Sequence, residues 1–416
     1  MKESNQLNKY DKAVVYSVYS LFLMPVLPKL AGNILIGLFL LFSLIAFIKN
    51  DARKFNSWFF VLTSLLYFSY IISAFYSENL DYALKKLGTA IPLLVFPLAF
   101  SLLSNRIIES IKANIKNYIK TYVATVLIIS AVLILENINI ITDLERFHDH
   151  VLKEATVIGI DALYLSLYLA IALISAVYLY YLSKKVWKGV AAVLIIIALF
   201  VLLLILSFKS AIISFVVAFG LYALMINKVK LWALFMSATL IVIGLLTFSS
   251  VFNQKFNRLL IVKNAADIEY AEIKKTIQTC SIELIPEAGL FGFGLGDGKD
   301  ELINCFDGKN KSLKEVSYNS HNQYLSIFLN VGLVGLILFS ISLFILLFVG
   351  LNNRNYLGIA ILVLFGVFML AENVLERQQG VVYFALFLNI LFIQNFKIRR
   401  SRPLILTHEK VIDSFN

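Results

Sequence analysis

Apolar runs long enough to cross a bilayer recur along this chain, near 13–28, 31–48, 58–76, 88–104, 118–135, 157–182, 187–206, 211–226, 229–250, 323–349, 356–371 and 380–395. A spanning helix needs roughly 20 predominantly apolar residues. Inside hydrocarbon every backbone polar group must be bonded within the protein, so only helices and closed barrels span a membrane. A barrel strand alternates polar and apolar residues over about 10 positions, which these continuous runs do not. The expected fold is therefore all-α and polytopic, with about twelve transmembrane helices. A hydrophobic content of 60%, a mean hydropathy of +0.82 and a charged fraction of 15%, against roughly 25% in soluble domains, exclude a soluble globular enzyme, a disordered chain and a disulfide scaffold.

A single lysine, Lys209, interrupts nearly forty apolar residues around Ser207–Ser210. A run of that length exceeds one span, so a turn belongs there. The net charge of +11 raises the question of which side of a membrane holds the Lys and Arg, and it is not read as a nucleic-acid signal. With the N-terminus placed in the cytoplasm, 21 of the 37 basic residues fall in cytoplasmic segments. Of the 16 outside, 9 lie in one long loop, where the positive-inside rule has little force. Both termini are therefore expected inside. The first twelve residues are polar, and no small-residue cleavage site follows the first apolar run, so no removable signal peptide is read.

The chain divides into helices 1–9 over residues 1–250, an extracytoplasmic loop domain over 251–321, helices 10–12 over 322–395 and a basic cytoplasmic tail over 396–416. A shorter outside segment, 136–156, gathers Asp143, Glu145, Arg146, His148, Asp149 and His150. Within the long loop, Ile268, Ile273, Ile277, Cys280, Ile282 and Leu284 recur at helical spacing with charges between them. That pattern predicts an amphipathic helix near the membrane surface or against the bundle. No internal repeat of the kind found in many transporters is visible.

Several residues at the outer helix ends carry the chemistry. His321 is the one histidine of four at a membrane boundary beside an otherwise apolar span. An imidazole exchanges a proton near neutral pH, so it serves either as a general base on an acceptor hydroxyl or as an interfacial ring bonded to a carbonyl or water. A lysine at the position of Lys209 costs about 2.5–3.5 kcal/mol in an apolar segment. It either faces a cavity holding an anionic partner such as a phosphate or snorkels to the headgroups. Alternate glycines at Gly292, Gly294 and Gly296 let a backbone approach a bulky ligand or turn sharply. Without a βαβ context they are not a dinucleotide fingerprint. The segment Ala371–Gly380 places Glu372, Glu376 and Arg377 between two spans, as a polar site or as a solvated loop with one ion pair. Cys280 and Cys305, 25 residues apart, share the long loop. A disulfide between them would add about 3 kcal/mol. No zinc spacing, P-loop, HExxH helix or acidic nucleotide-sugar motif occurs, so neither a metal nor another cofactor is expected.

Taken together these features resemble the O-antigen ligase superfamily of polytopic membrane glycosyltransferases. The shared pattern is about twelve spans, a large extracytoplasmic loop between the ninth and tenth, and the run Gly292/Gly294/Gly296 late in that loop. It continues with His321-Asn322-Gln323-Tyr324-Leu325 leading into a span with Gly332 and Gly335. The resemblance is best from about 200 to 340.

What it implies is a GT-C-like arrangement in a bacterial inner membrane, with a periplasmic active face. There a glycan on an undecaprenyl-pyrophosphate carrier would pass, with inversion, to lipid A–core, another repeat unit or a protein hydroxyl. In such enzymes the histidine, here His321, is the base or acceptor-positioning group, with Asn322 and Tyr324 beside it. Lys209 replaces the family's arginine in a Ser-Arg-Gly context, keeping the charge without the bidentate fork. For the family's loop arginine the nearest cations are Lys274, Lys275 and Arg258. Ligation to lipid A–core is the first expectation, and polymerisation or protein glycosylation the alternatives within the family. A lipid-linked glycan transporter is the rival from another class, opposed by the absent repeat and the long loop.

Overall fold

The computed structural model describes residues 7–50, 54–140, 150, 159–206, 208–227, 232, 233, 237, 265–307, 309 and 318–396, with 265–271 and 307 described by backbone alone. Among these residues the fold is entirely helical. The helices are α1 (Lys9–Leu23), α2 (Lys29–Ile48), α3 (Ser57–Ala74), α4 (Leu80–Ala90), α5 (Pro92–Ser101), α6 (Asn105–Glu136), α7 (Ala162–Tyr181), α8 (Val186–Leu206) and α9 (Lys209–Ile226), followed in the loop by α10 (Ala265–Glu283), α11 (Ile285–Ala288) and α12 (Gly298–Asp307). The last three are α13 (Gln323–Asn352), α14 (Tyr356–Phe368) and α15 (Gln378–Phe392).

Eight candidate spans, α4 and α5 together making one, are long and apolar enough to cross a membrane. The apolar helices α1, α14 and α15 are shorter, at 15, 13 and 15 residues. The run expected at 229–250 lies outside the described residues, apart from 232, 233 and 237. The protein is thus an all-α, polytopic membrane protein. Residues 143–149 of the shorter outside segment lie outside the description as well.

Burial separates central from peripheral helices. In α7 83% of the apolar window is buried, against 22% in α2. A helix apolar on all faces and fully enclosed is a bundle core, and α7 packs on α6, α8, α9 and α14. On α13, Ile337, Ile341, Phe344 and Phe348 form an exposed stripe, as do Trp187, Val190, Leu194 and Val201 on α8. Apolar stripes of this kind face lipid in a membrane protein. α8 stops at Leu206 and α9 starts at Lys209, so the lysine stands at the junction between two helices.

α13 is broken. Gly332 has φ 67° and ψ −168° inside it, a conformation open to glycine. The groups freed by the break are bonded by the loop and by α3. Phe293 N–H donates to Leu329 O at 2.8 Å, Leu333 N–H to Gly289 O and Val334 N–H to Leu290 O at 3.1 Å. The Ser73 hydroxyl donates to Asn330 O at 2.7 Å. A Cβ on Gly292 would lie 2.6 Å from the backbone of Asn330, Val331 and Gly332, so here the glycine run meets a helix backbone. Further along, the Asp297 carboxylate accepts from Glu78 N–H at 2.9 Å and Asn79 N–H at 2.8 Å, tying the loop to the α3–α4 turn.

α10 lies against α12 and α13. Ile277 and Cys280 of α10, with Leu284 just beyond its end, face a small core with Leu302 and Phe306, and Ile273 packs against it; Ile282 of the expected apolar face is exposed instead, and the Ile268 side chain lies outside the description. Cys280 and Cys305 are disulfide-bonded, joining α10 to α12.

Candidate active site

The polar centre lies at one end of the bundle, where α13 begins. Asn322 caps that helix: its side-chain oxygen accepts from Tyr324 N–H at 2.9 Å and Leu325 N–H at 3.2 Å, satisfying donors that a helix start leaves orphaned. His321 precedes the cap with φ 46°, a left-handed conformation costly for a residue with a Cβ. Its N–H donates to the Asn319 side chain at 3.1 Å. Nδ1 stands 3.6 Å from a Glu372 carboxylate oxygen, and the imidazole is 38% exposed. At that separation the two side chains are neighbours without a hydrogen bond between them.

The segment bearing Glu372 is laced to the start of α13. Gln323 N–H donates to Met369 O at 2.9 Å, and Leu375 N–H to the Gln323 side chain at 2.6 Å. The Asn373 amide donates to the Ser320 hydroxyl at 3.2 Å, and the Ser326 hydroxyl to Glu376 at 2.7 Å. Glu376 also meets Lys86 of α4 at 3.3 Å, both side chains being largely buried. Burial alone would raise the Glu376 carboxyl. The Lys86 ammonium, the Ser326 hydroxyl and Lys299 outweigh it and hold the group below the ordinary carboxylate range. Lys86 and Lys299 lie 5.4 and 5.9 Å from the Tyr82 ring centroid. Lys86, Lys299, Asn319, Ser320, Asn330 and Glu376 are among the residues lining a recess of about 270 Å³. Its wall includes the two residues before His321 but not the imidazole itself.

Arg377 points the other way and pairs with Asp161 at the start of α7, at 2.7 Å. The two acids of this segment thus serve different partners, and no ion pair closes within it. Beyond Arg377, Gln378 and Gln379 stand at an apolar groove of about 500 Å³ whose walls include Met24, Ile36, Tyr168, Val382 and Tyr383.

Lys209 opens α9 at this same end, and Lys274 of α10 is near enough to repel it electrostatically. Both add positive charge to this end of the bundle. Lys275 is exposed and takes no part in that coupling, and Arg258 lies outside the described residues. Gly292, Gly294 and Gly296 bring the loop backbone onto α13 and the α3–α4 turn, where a Cβ on Gly296 would meet Asn79 O at 2.1 Å. Tyr324 runs between α13 and α14, its hydroxyl donating to Gly366 O at 3.0 Å. These four residues build the floor that carries His321.

The Lys86–Glu376 pair and Lys299 were not singled out by the sequence. Glu376 stood in view as one of two acids in a short loop. Its partner lies 290 residues away in a helix whose polar first turns, with Asp81, Lys85 and Lys86, precede the apolar run.

Fold and site together define a multi-pass helical membrane protein with a cationic, histidine-bearing centre at one end of its bundle. Residues 198–340 match the family model described as O-antigen ligase. That match runs from the end of α8 into α13 and contains Lys209, Lys274, the glycine run and His321. It covers about a third of the chain and supports a likeness to the O-antigen ligase superfamily, a family that points to membrane glycosyltransferases acting on a lipid-linked glycan donor and a glycan acceptor. No curated protein matches the chain significantly.

Proposed function

We propose that the protein transfers a glycan from an undecaprenyl-pyrophosphate carrier to an acceptor hydroxyl at the outer face of a bacterial inner membrane, with lipid A–core as the first acceptor to test. The observation that supports this is His321, its Nδ1 3.6 Å from Glu372, at the bundle end where Lys209 opens α9 and Lys274 acts on it electrostatically.

In this scheme Lys209 and Lys274 neutralise the pyrophosphate, which makes it a good leaving group without a strong acid. The acceptor oxygen attacks the anomeric carbon from the opposite face and inverts it. As that C–O bond forms, the bond to the pyrophosphate oxygen breaks, and the hydroxyl proton passes to His321 Nε2. Glu372 then faces an imidazolium. Charge stabilisation by fixed cations at a partly desolvated site is the main catalytic effect, and a positioned base adds about 10²–10⁴-fold. The groove beside Gln378 and Gln379 suits part of an isoprenoid chain, its lining being mostly apolar with Lys29, Asn33 and the two glutamines as the polar members.

The test is conversion of carrier-linked glycan by the purified chain in detergent. His321→Ala should abolish transfer while membrane insertion and the elution profile stay normal. Lys209→Ala should be inactive and Lys209→Arg active. Full transfer by His321→Ala, or an active Lys209→Ala beside a dead Lys209→Arg, would overturn the scheme. In a deletion strain, uncapped core with accumulated carrier-linked polymer marks a ligase, whereas a single repeat on the core marks a polymerase.

A further inference from the structure

A further recess lies at the other end of the bundle. It is open to solvent and spans about 910 Å³ among the ends of α7, α9, α13, α14 and α15 and the flank of α6. Lys112 and Arg354 stand on its wall with Tyr181, Tyr222, Gln394 and Asn395. Among the described residues no carboxylate lines it, and neither Lys112 nor Arg354 forms an ion pair. Asn395 and Gln394 add side-chain amides to the same wall. Arg354 follows the C-cap of α13 with φ 54°, a position where glycine is the ordinary occupant. Here the backbone takes the left-handed form and carries a guanidinium instead.

We propose that this recess binds a phosphate group, as presented by an anionic phospholipid headgroup of the leaflet at that face, between Lys112 and Arg354. Guanidinium and ammonium donors bind phosphate oxygens through charge-assisted hydrogen bonds. Phenols at helix ends are the usual lining of the headgroup zone, and basic pockets between helix ends bind anionic headgroups. The site is separate from the one bearing His321 and does not depend on the transferase assignment.

The test uses the full-length chain in neutral detergent and native mass spectrometry with three probes: short-chain phosphatidylglycerol, matched phosphatidylcholine and inorganic phosphate. Saturable phosphatidylglycerol binding is expected, with phosphatidylcholine much weaker. The Lys112→Ala/Arg354→Ala variant should bind about ten- to hundredfold more weakly, the loss expected for two charge-assisted contacts, while Lys112→Arg retains binding. Competition by millimolar inorganic phosphate would assign the same site to a soluble phosphate source, and its absence to the lipid. Equal affinity for both lipids, or undiminished phosphatidylglycerol binding in the double variant, would overturn the proposal. If that variant aggregates, Lys112→Glu and Arg354→Glu carry the same requirement singly, since both side chains are exposed.

Discussion

Glu376 and Lys86 offer a quantitative check on the polar centre. Removing one partner of a buried ion pair costs about 3–5 kcal/mol, because the other charge is left without compensation. An exposed pair contributes about 0–1 kcal/mol. Glu376 keeps 19% of its side-chain surface and Lys86 13%, so the pair stands near the buried limit but is reached by the recess. Glu376→Gln should therefore destabilise the fold by about 2–4 kcal/mol. Lys86→Met should cost a similar amount, and the double variant clearly less than the two together, since it strands no charge. Unfolding free energies in mixed micelles measure the cycle. Single effects that add within about 0.5 kcal/mol would refute a direct pairing. The pH dependence has a defined sign. The carboxyl is held below its ordinary value of 4.5 in the fold, so its stabilisation is complete above that value and fades as pH falls through the lowered one. Glu376→Gln should remove this acid limb.

His321→Ala should lower transfer by at least the 10²–10⁴-fold of a positioned base with unchanged stability, read in the detergent conversion assay. Glu372→Gln should give a smaller loss, because the base remains and only its charge compensation changes. Gly292→Ala adds a Cβ within 2.6 Å of backbone atoms at φ 78° and should destabilise by about 2–5 kcal/mol, seen as a lowered melting temperature. Cys280→Ser with Cys305→Ser should cost about 3 kcal/mol of loop-closure entropy, and non-reducing against reducing mass analysis should detect the bond only in the parent protein.

Helices with continuous apolar runs were legible because bilayer length leaves few alternatives. The break between α8 and α9 and part of the inward face of α10 followed from length and spacing alone. α4 was less so: its first two turns carry Asp81, Lys85 and Lys86, and the polar content hid a helix whose Tyr82 and Lys86 turn toward the Glu376 segment. His321 and Glu372 stood out from their position at span ends. Their juxtaposition did not, since it depends on how the start of α13 and the end of α14 dock. The glycine run shows the same limit. Flexibility of the backbone was evident, but its partner is the backbone of Gly332, 40 residues beyond Gly292, and backbone-to-backbone approach leaves no side-chain pattern to read.

The break in α13 explains how a loop can share in a site built on transmembrane helices. An interrupted helix in an apolar surrounding leaves carbonyl and N–H groups unbonded, at about 1–3 kcal/mol each. Here three of those groups bond to residues 289–293, and a fourth accepts from Ser73. The loop is therefore fastened to the same helix that His321 leads into, while Asp297 fastens it to the α3–α4 turn and the disulfide joins α10 to α12. Lys274 rides on α10 and His321 on the cap of α13, so cation and imidazole belong to one cross-linked unit. The proposed transfer needs both groups set within a fraction of an ångström relative to a bound glycan. Backbone bonds across a glycine-lined break deliver that with far less conformational freedom than side chains reaching across open water.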